Sequence, residues 1–132
     1  MEFLNVLVAG LASFMFGAIW YSTLSGPWME ASGVPVDAET GKPANASNPA
    51  PYIIGLASSV LVAGMMRHVF ESSAVDTLWE AAVSGFGVGA FLATPWLATN
   101  YGFAGRPAKL LIIDGGYATI GCTIIAIVLQ LF

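Results

Sequence analysis

The sequence predicts an all-α integral membrane protein: four transmembrane helices in an up-down bundle. Three observations carry that prediction. Only 9% of the 132 residues are charged and 57% are hydrophobic, whereas an average soluble domain is about 25% charged. Four apolar stretches, residues 3–21, 52–70, 78–98 and 108–131, are each long enough to cross a ~30 Å hydrocarbon core. On each of them, small residues recur every four positions, the spacing that lets helix backbones approach closely in lipid. A chain of this length is a single domain.

The first span, residues 3–21, is read as retained rather than as a secretory signal. It carries Glu2 where a signal has a positive segment, and its apolar run is too long. Ala9, Ser13 and Gly17 form its small stripe, and Trp20-Tyr21 close it as rings at headgroup level do. Residues 22–51 form the one long loop. Its first part, with Trp28 and Met29, is expected to lie along the interface. Its Pro-, Ala- and Asn-rich second part is expected to be an irregular, mobile connector. Asn45-Ala46-Ser47 is a chance-level sequon. Gly41-Lys42-Pro43 lacks the glycine and hydroxyl of a phosphate loop.

The second span carries Gly55, Ser59 and Ala63 and ends in Arg67-His68, with Glu71 four residues after Arg67. The third holds the stripe Ala81, Gly85, Gly89 and Ala93. In water so much glycine costs a helix roughly 1 kcal/mol per residue; in a membrane it is a packing device. Pro95 removes one backbone donor and is expected to kink the helix. Residues 100–106 read as a tight connector, and Pro107 suits the first turn of the fourth span. That span has Asp114-Gly115-Gly116-Tyr117 about two turns in, then Ala118, Cys122 and Ala126. Loops one and three, with Lys42, Arg106 and Lys109, are expected to be cytoplasmic, since the other side holds only Arg67.

The residue chemistry excludes several functions. A net charge of -4 argues against nucleic acid. A single cysteine excludes an internal disulfide, and Cys122 lacks a basic neighbour, so it reads as inert packing. His68 is the only histidine, which excludes a multi-His metal site or a bis-His haem within one chain; a single axial ligand to haem or chlorin is the lesser reading beside a snorkelling belt residue, and no cofactor is expected. Gly85-Phe86-Gly87-Val88-Gly89 lacks the strand and spacing of a dinucleotide fingerprint. No nucleophile–base set, carboxylate pair or metal-ligand cluster is present, so no enzyme activity is expected.

Two polar groups remain. Asp114 is an ionisable residue inside a span, a functional-site candidate by default. Arg106 and Lys109 are its candidate partners, with Gly115, Gly116 and Tyr117 beside it, and a structural ion pair or an interhelical hydrogen bond is the plainer reading. Arg67, His68, Glu71 and Glu80 are expected to form an interfacial charge cluster, on the view that spans two and three are adjacent and antiparallel.

Trp20-Tyr21-Ser22, Gly26-Pro27-Trp28, Asn48-Pro49, Asn100, Gly105-Arg106-Pro107 with Lys109, and Gly116-Tyr117 together resemble the DUF1761 family of small bacterial inner-membrane proteins. The resemblance covers nearly the whole chain. It implies a four-helix fold and an inner-membrane address, and no activity. The family position that is usually Asn is Asp114 here. The expected role is therefore a non-catalytic membrane module, with the bilayer and other subunits or itself as partners. It would pack through its small-residue faces as a homo-oligomer or accessory subunit. The alternative is a small oligomeric transporter or channel subunit using Asp114.

Overall fold

The computed structural model describes residues 2–132. Helix α1 spans Glu2–Thr23, α2 Ser25–Ser32 and α3 Ala50–Ser72. Helix α4, Leu78–Val88, runs through a π-helical turn at Gly89–Ala93 into α5, Thr94–Phe103, and α6 spans Ala108–Gln130. Among the described residues there is no strand, only an isolated bridge between Val36 and Pro43. Four helices are long and apolar enough to cross a membrane: Glu2–Thr23, Ala50–Ser72, Leu78–Phe103 and Ala108–Gln130.

The helix ends follow from local chemistry. Thr77 and Glu80 form a reciprocal capping box at the start of α4. The Asn48 carboxamide oxygen accepts from the Ala50 N–H at 3.0 Å where α3 begins. Pro107 occupies the N-cap of α6 in an extended conformation, one position before the first turn. Gly105, at φ 67°, closes α5, and the Arg106 N–H donates to the Tyr101 carbonyl at 2.8 Å.

Two stretches differ from the sequence expectation. Residues 100–103 are helical rather than a connector, because α5 continues past Pro95. Proline lacks an N–H and crowds the carbonyl four residues back; here the wide turn just before it absorbs that defect, with the Thr94 N–H bonding to the Gly89 carbonyl. The second half of loop 22–51 is built of turns rather than irregular. The Asp37 N–H donates to Lys42 at 2.8 Å and the Ala44 N–H to Pro35 at 2.7 Å. Gly41 supplies the left-handed residue, at φ 67°.

Helix α6 is the hub. It packs against α1, α4 and α5, while α3 lies against α1 and more lightly against α6. The core sets small side chains, Ala9, Ala63, Ala81, Cys122 and Ala126, among the larger Met66, Phe70, Ile125 and Leu129. On α1 the inward residues Asn5, Ala9, Ser13 and Gly17 recur every four positions. The outward residues Phe3, Leu7, Leu11, Met15 and Ile19 do the same on the other side. Phe86, Phe91, Leu92, Trp96, Leu61 and Met65 are exposed as well. An apolar exterior on that scale is not that of a water-facing monomer; it suits a membrane protein.

Candidate functional site

The small-residue stripes face each other inside the chain. A Cβ on Gly85 would lie 2.5 Å from the Ala126 Cβ and 2.6 Å from the Cys122 carbonyl oxygen. One on Gly89 would run into the Thr119 Cα and lie 2.6 Å from the Ala118 oxygen. Ala81 is fully buried beside them, whereas Ala93, in the π turn, is only half-buried. On α1, Ala9 and Ser13 are buried, and Gly17 receives the Tyr117 ring 2.7 Å from where its Cβ would be. On α3, Ser59 and Ala63 are buried, and the Val60 backbone comes within 2.8 Å of a Cβ placed on Gly10. These faces join α1, α3, α4 and α6 to one another, so they are not free for a partner.

Asp114 stands half-buried in the second turn of α6. Its Oδ1 accepts from the Tyr21 hydroxyl at 2.6 Å, and its Oδ2 accepts from the Tyr101 hydroxyl at 2.5 Å. One tyrosine closes α1 and the other lies in the last turn of α5, so a single carboxylate ties three helices. Hydrogen bonds to an ionised acceptor are roughly twice as strong as neutral ones, and a buried carboxylate without such partners is costly.

Neither cation expected beside Asp114 is among those partners. The Arg106 guanidinium donates to the Ser32 carbonyl at 2.7 Å, and the Lys109 ammonium lies 3.7 Å from the Glu30 carboxylate. Both contacts run to α2, one from Arg106 in the α5–α6 turn and the other from Lys109 in the first turn of α6. The exposed Lys109–Glu30 pair contributes little by itself.

Aromatic rings pack around the carboxylate. Tyr21 meets Tyr117 edge-on at 5.3 Å and Trp28 edge-on at 6.0 Å, and Phe16 stacks on Tyr117 at 6.3 Å. The Trp20 indole N–H donates to the Ile113 carbonyl at 2.9 Å. Gly116 makes room for that indole, since its Cβ would lie 2.9 Å from the ring. Gly115 does the same for Thr94, whose methyl would lie 2.9 Å from a Cβ there. The Thr94 hydroxyl donates to the Gly89 carbonyl at 2.7 Å and leans towards the Gly115 carbonyl at 3.4 Å.

At the other end of α6 the expected four-residue charge cluster is divided. Arg67 lies 3.1 Å from Glu71 and 3.7 Å from Glu2, and His68 is exposed beside it. Glu80 is occupied elsewhere: its carboxylate accepts from the Asp76 N–H at 3.0 Å and the Thr77 N–H at 3.1 Å. The cause is tertiary. Helix α4 seats its glycines on α6 rather than on α3, which carries Glu80 away from Arg67. A shallow open cavity of about 200 Å³ lies at this end, among Arg67, Phe70, Glu71, Asp76, Leu129 and Phe132.

Sequence reasoning placed Tyr21 in an aromatic belt and Tyr101 in a connector, and so missed both hydroxyls that hold Asp114. A signal was present. Both tyrosines end a span on the side where α6 starts, level with its second turn. A family model described as "Protein of unknown function (DUF1761)" matches residues 4–130. No curated protein and no solved structure matches the chain.

Proposed function

We propose, from the premise that the chain belongs to the DUF1761 family, a non-catalytic module of the bacterial inner membrane. Its four long helices cross the bilayer in alternate directions as an up-down bundle. The ends of α1, α5 and α6 near Asp114 face the cytoplasm, with Lys42, Arg106 and Lys109 on that side. The module docks in the membrane to a second copy or a larger complex, as an accessory subunit does.

One observation carries this reading: the uneven cover of the helices. In its most apolar window the helix Leu78–Phe103 is 17% buried, against 33% for Ala108–Gln130. It is seated on α6, with Phe86, Phe91, Leu92 and Trp96 turned outward. Because the small-residue stripes are already used within the chain, the docking face proposed is this aromatic flank. Asp114 is a structural clasp in this reading, since each of its oxygens already accepts a tyrosine hydroxyl. That argues against the transporter alternative, which needs the carboxylate for a passing ion.

The test is extraction of native membranes in a gentle detergent, then sizing and native mass spectrometry. A stoichiometric assembly is expected, dissociated by Phe91→Ala with Trp96→Ala while the melting temperature changes little. A monomer with nothing bound, unaffected by that pair of substitutions, would overturn the docking role.

A further inference from the structure

The wide turn in the third span leaves a main-chain acceptor without its donor. In an unbroken α-helix the Ala90 carbonyl accepts from the Thr94 N–H. Here that N–H bonds to the Gly89 carbonyl instead, and the Thr94 hydroxyl also serves Gly89, at 2.7 Å. The next residue along is Pro95, which has no N–H to offer. Among the described residues no side chain replaces the lost donor. Ala90 is half-buried and Pro95 exposed, so the freed carbonyl lies at the edge of the aromatic flank. It also lies near the middle of the helix Leu78–Phe103, and hydrocarbon does not tolerate unpaired backbone groups at such depth.

A matching donor stands close by on the same flank. Trp96 is 65% exposed, and its indole N–H has no hydrogen-bond partner among the described residues. Trp20, by contrast, spends its N–H on the Ile113 carbonyl at 2.9 Å. Trp28 stands outside the long spans and Trp79 at the start of one, where headgroups can serve them. Trp96 lies deeper. It is five residues before Tyr101, about 7.5 Å along the axis, and Tyr101 is level with the belt residue Tyr21 across Asp114. Ala90 is a further six residues back. A helical carbonyl leans towards the C-terminal end and a helical side chain towards the N-terminal end. That brings acceptor and donor towards one depth.

We propose that this flank is covered by the same flank of a second copy, in a two-fold dimer whose axis runs along the membrane normal. The Trp96 indole N–H of each copy donates to the Ala90 carbonyl of the other. The inference rests on the docking reading above and names its partner. Self-complementarity is what selects a second copy. Two copies inserted the same way round meet at equal depth, and a two-fold interface uses every pair twice. A flank with an unused donor and an unused acceptor at similar depth therefore satisfies itself in duplicate. Any other partner would have to supply both groups at matching positions. Phe91 and Leu92, turned outward between them, pack about the axis. Interhelical hydrogen bonds serve as glue between helices in lipid.

The test is self-association of the purified full chain in vesicles of phosphatidylcholine and phosphatidylglycerol. Copies labelled at Gly41→Cys on a Cys122→Ala background report by energy transfer as the protein is diluted in lipid. A dimer is expected. Trp96→Phe keeps an aromatic ring there but removes the N–H. It is expected to weaken association about tenfold, since the bond occurs twice per dimer. Pro95→Ala returns a backbone N–H to the turn and is expected to weaken association by a similar factor without lowering the melting temperature. The double variant is expected to be no weaker than either single one, the signature of a shared bond. A dimer indifferent to Trp96→Phe, or additive losses in the double variant, would overturn the pairing. So would a chain that stays monomeric at every dilution. If native membranes then still yield a larger assembly that Phe91→Ala with Trp96→Ala dissociates, the docking reading stands and the second copy alone fails.

Discussion

Gly87 and Gly89 lie two residues apart on one helix, and the structure assigns them opposite sensitivities. Replacing either by alanine gains up to about 1 kcal/mol of helix propensity. Around Gly87 there is nothing within 4 Å of an added Cβ, so Gly87→Ala is expected to be neutral or stabilising by about that amount. Around Gly89 the obstacles are the Cα, N and O atoms of the α6 main chain at Thr119 and Ala118. Main-chain atoms cannot rotate aside, so α4 and α6 must separate, and overpacking of this kind costs about 1–3 kcal/mol. Taking the upper end, Gly89→Ala is destabilised by roughly 3 less 1, or about 2 kcal/mol. The two variants then differ by about 3 kcal/mol, which is roughly 6–12 °C in melting temperature for a chain of this size.

Cys122 provides the assay. It is the single cysteine, 7% exposed, with its carbonyl oxygen against Gly85. A thiol-reactive dye added during heating therefore reports the opening of the α4–α6 interface. If the two variants melt within about 2 °C of each other, α4 does not seat on α6 as described. Gly89→Leu is expected to break the fold of the single chain rather than to change its oligomeric size.

Two further outcomes concern the helix ends. Thr77→Ala removes the hydroxyl that accepts from the Glu80 N–H at 3.2 Å. It is expected to cost about 1 kcal/mol, seen as faster amide exchange confined to the first turn of α4; unchanged exchange there would show the cap to be idle. For orientation, Gly41→Cys and Ser73→Cys are each placed on a Cys122→Ala background and treated in intact spheroplasts with an impermeant maleimide. Labelling is expected at residue 73 and not at 41, and the reverse pattern would invert the proposed topology.

Composition and spacing carry a definite part of this architecture. Four apolar stretches with few charges can satisfy their backbones in lipid only as helices. The four-residue spacing of Ala9, Ser13 and Gly17, and of Ala81, Gly85 and Gly89, marks faces that must lie close to another backbone. The capping box at Thr77 and the turn at Gly105 are likewise local, and local chemistry is readable from order alone. Which backbone each face meets is a different kind of fact. Glycine's lack of a side chain permits close approach without choosing the neighbour. Only the folded chain sets α4 on α6, turns the stripes inward and divides Glu80 from Arg67.

Asp114 shows the same division. Its place in an apolar helix signalled that it needed partners, and the nearest charges in sequence, Arg106 and Lys109, were the natural candidates. The partners were instead chosen by level along the helix axis. Tyr21 and Tyr101 are 93 and 13 residues away in the chain. They share a height with Asp114 because α1 and α5 both end where α6 begins. That coincidence depends on α5 continuing through the turn that Pro95 imposes, and a proline in a sequence does not say whether a helix stops or widens. The decision rests on the packing of α4 and α5 against α6, where Thr94 spans the widened turn to reach Gly115.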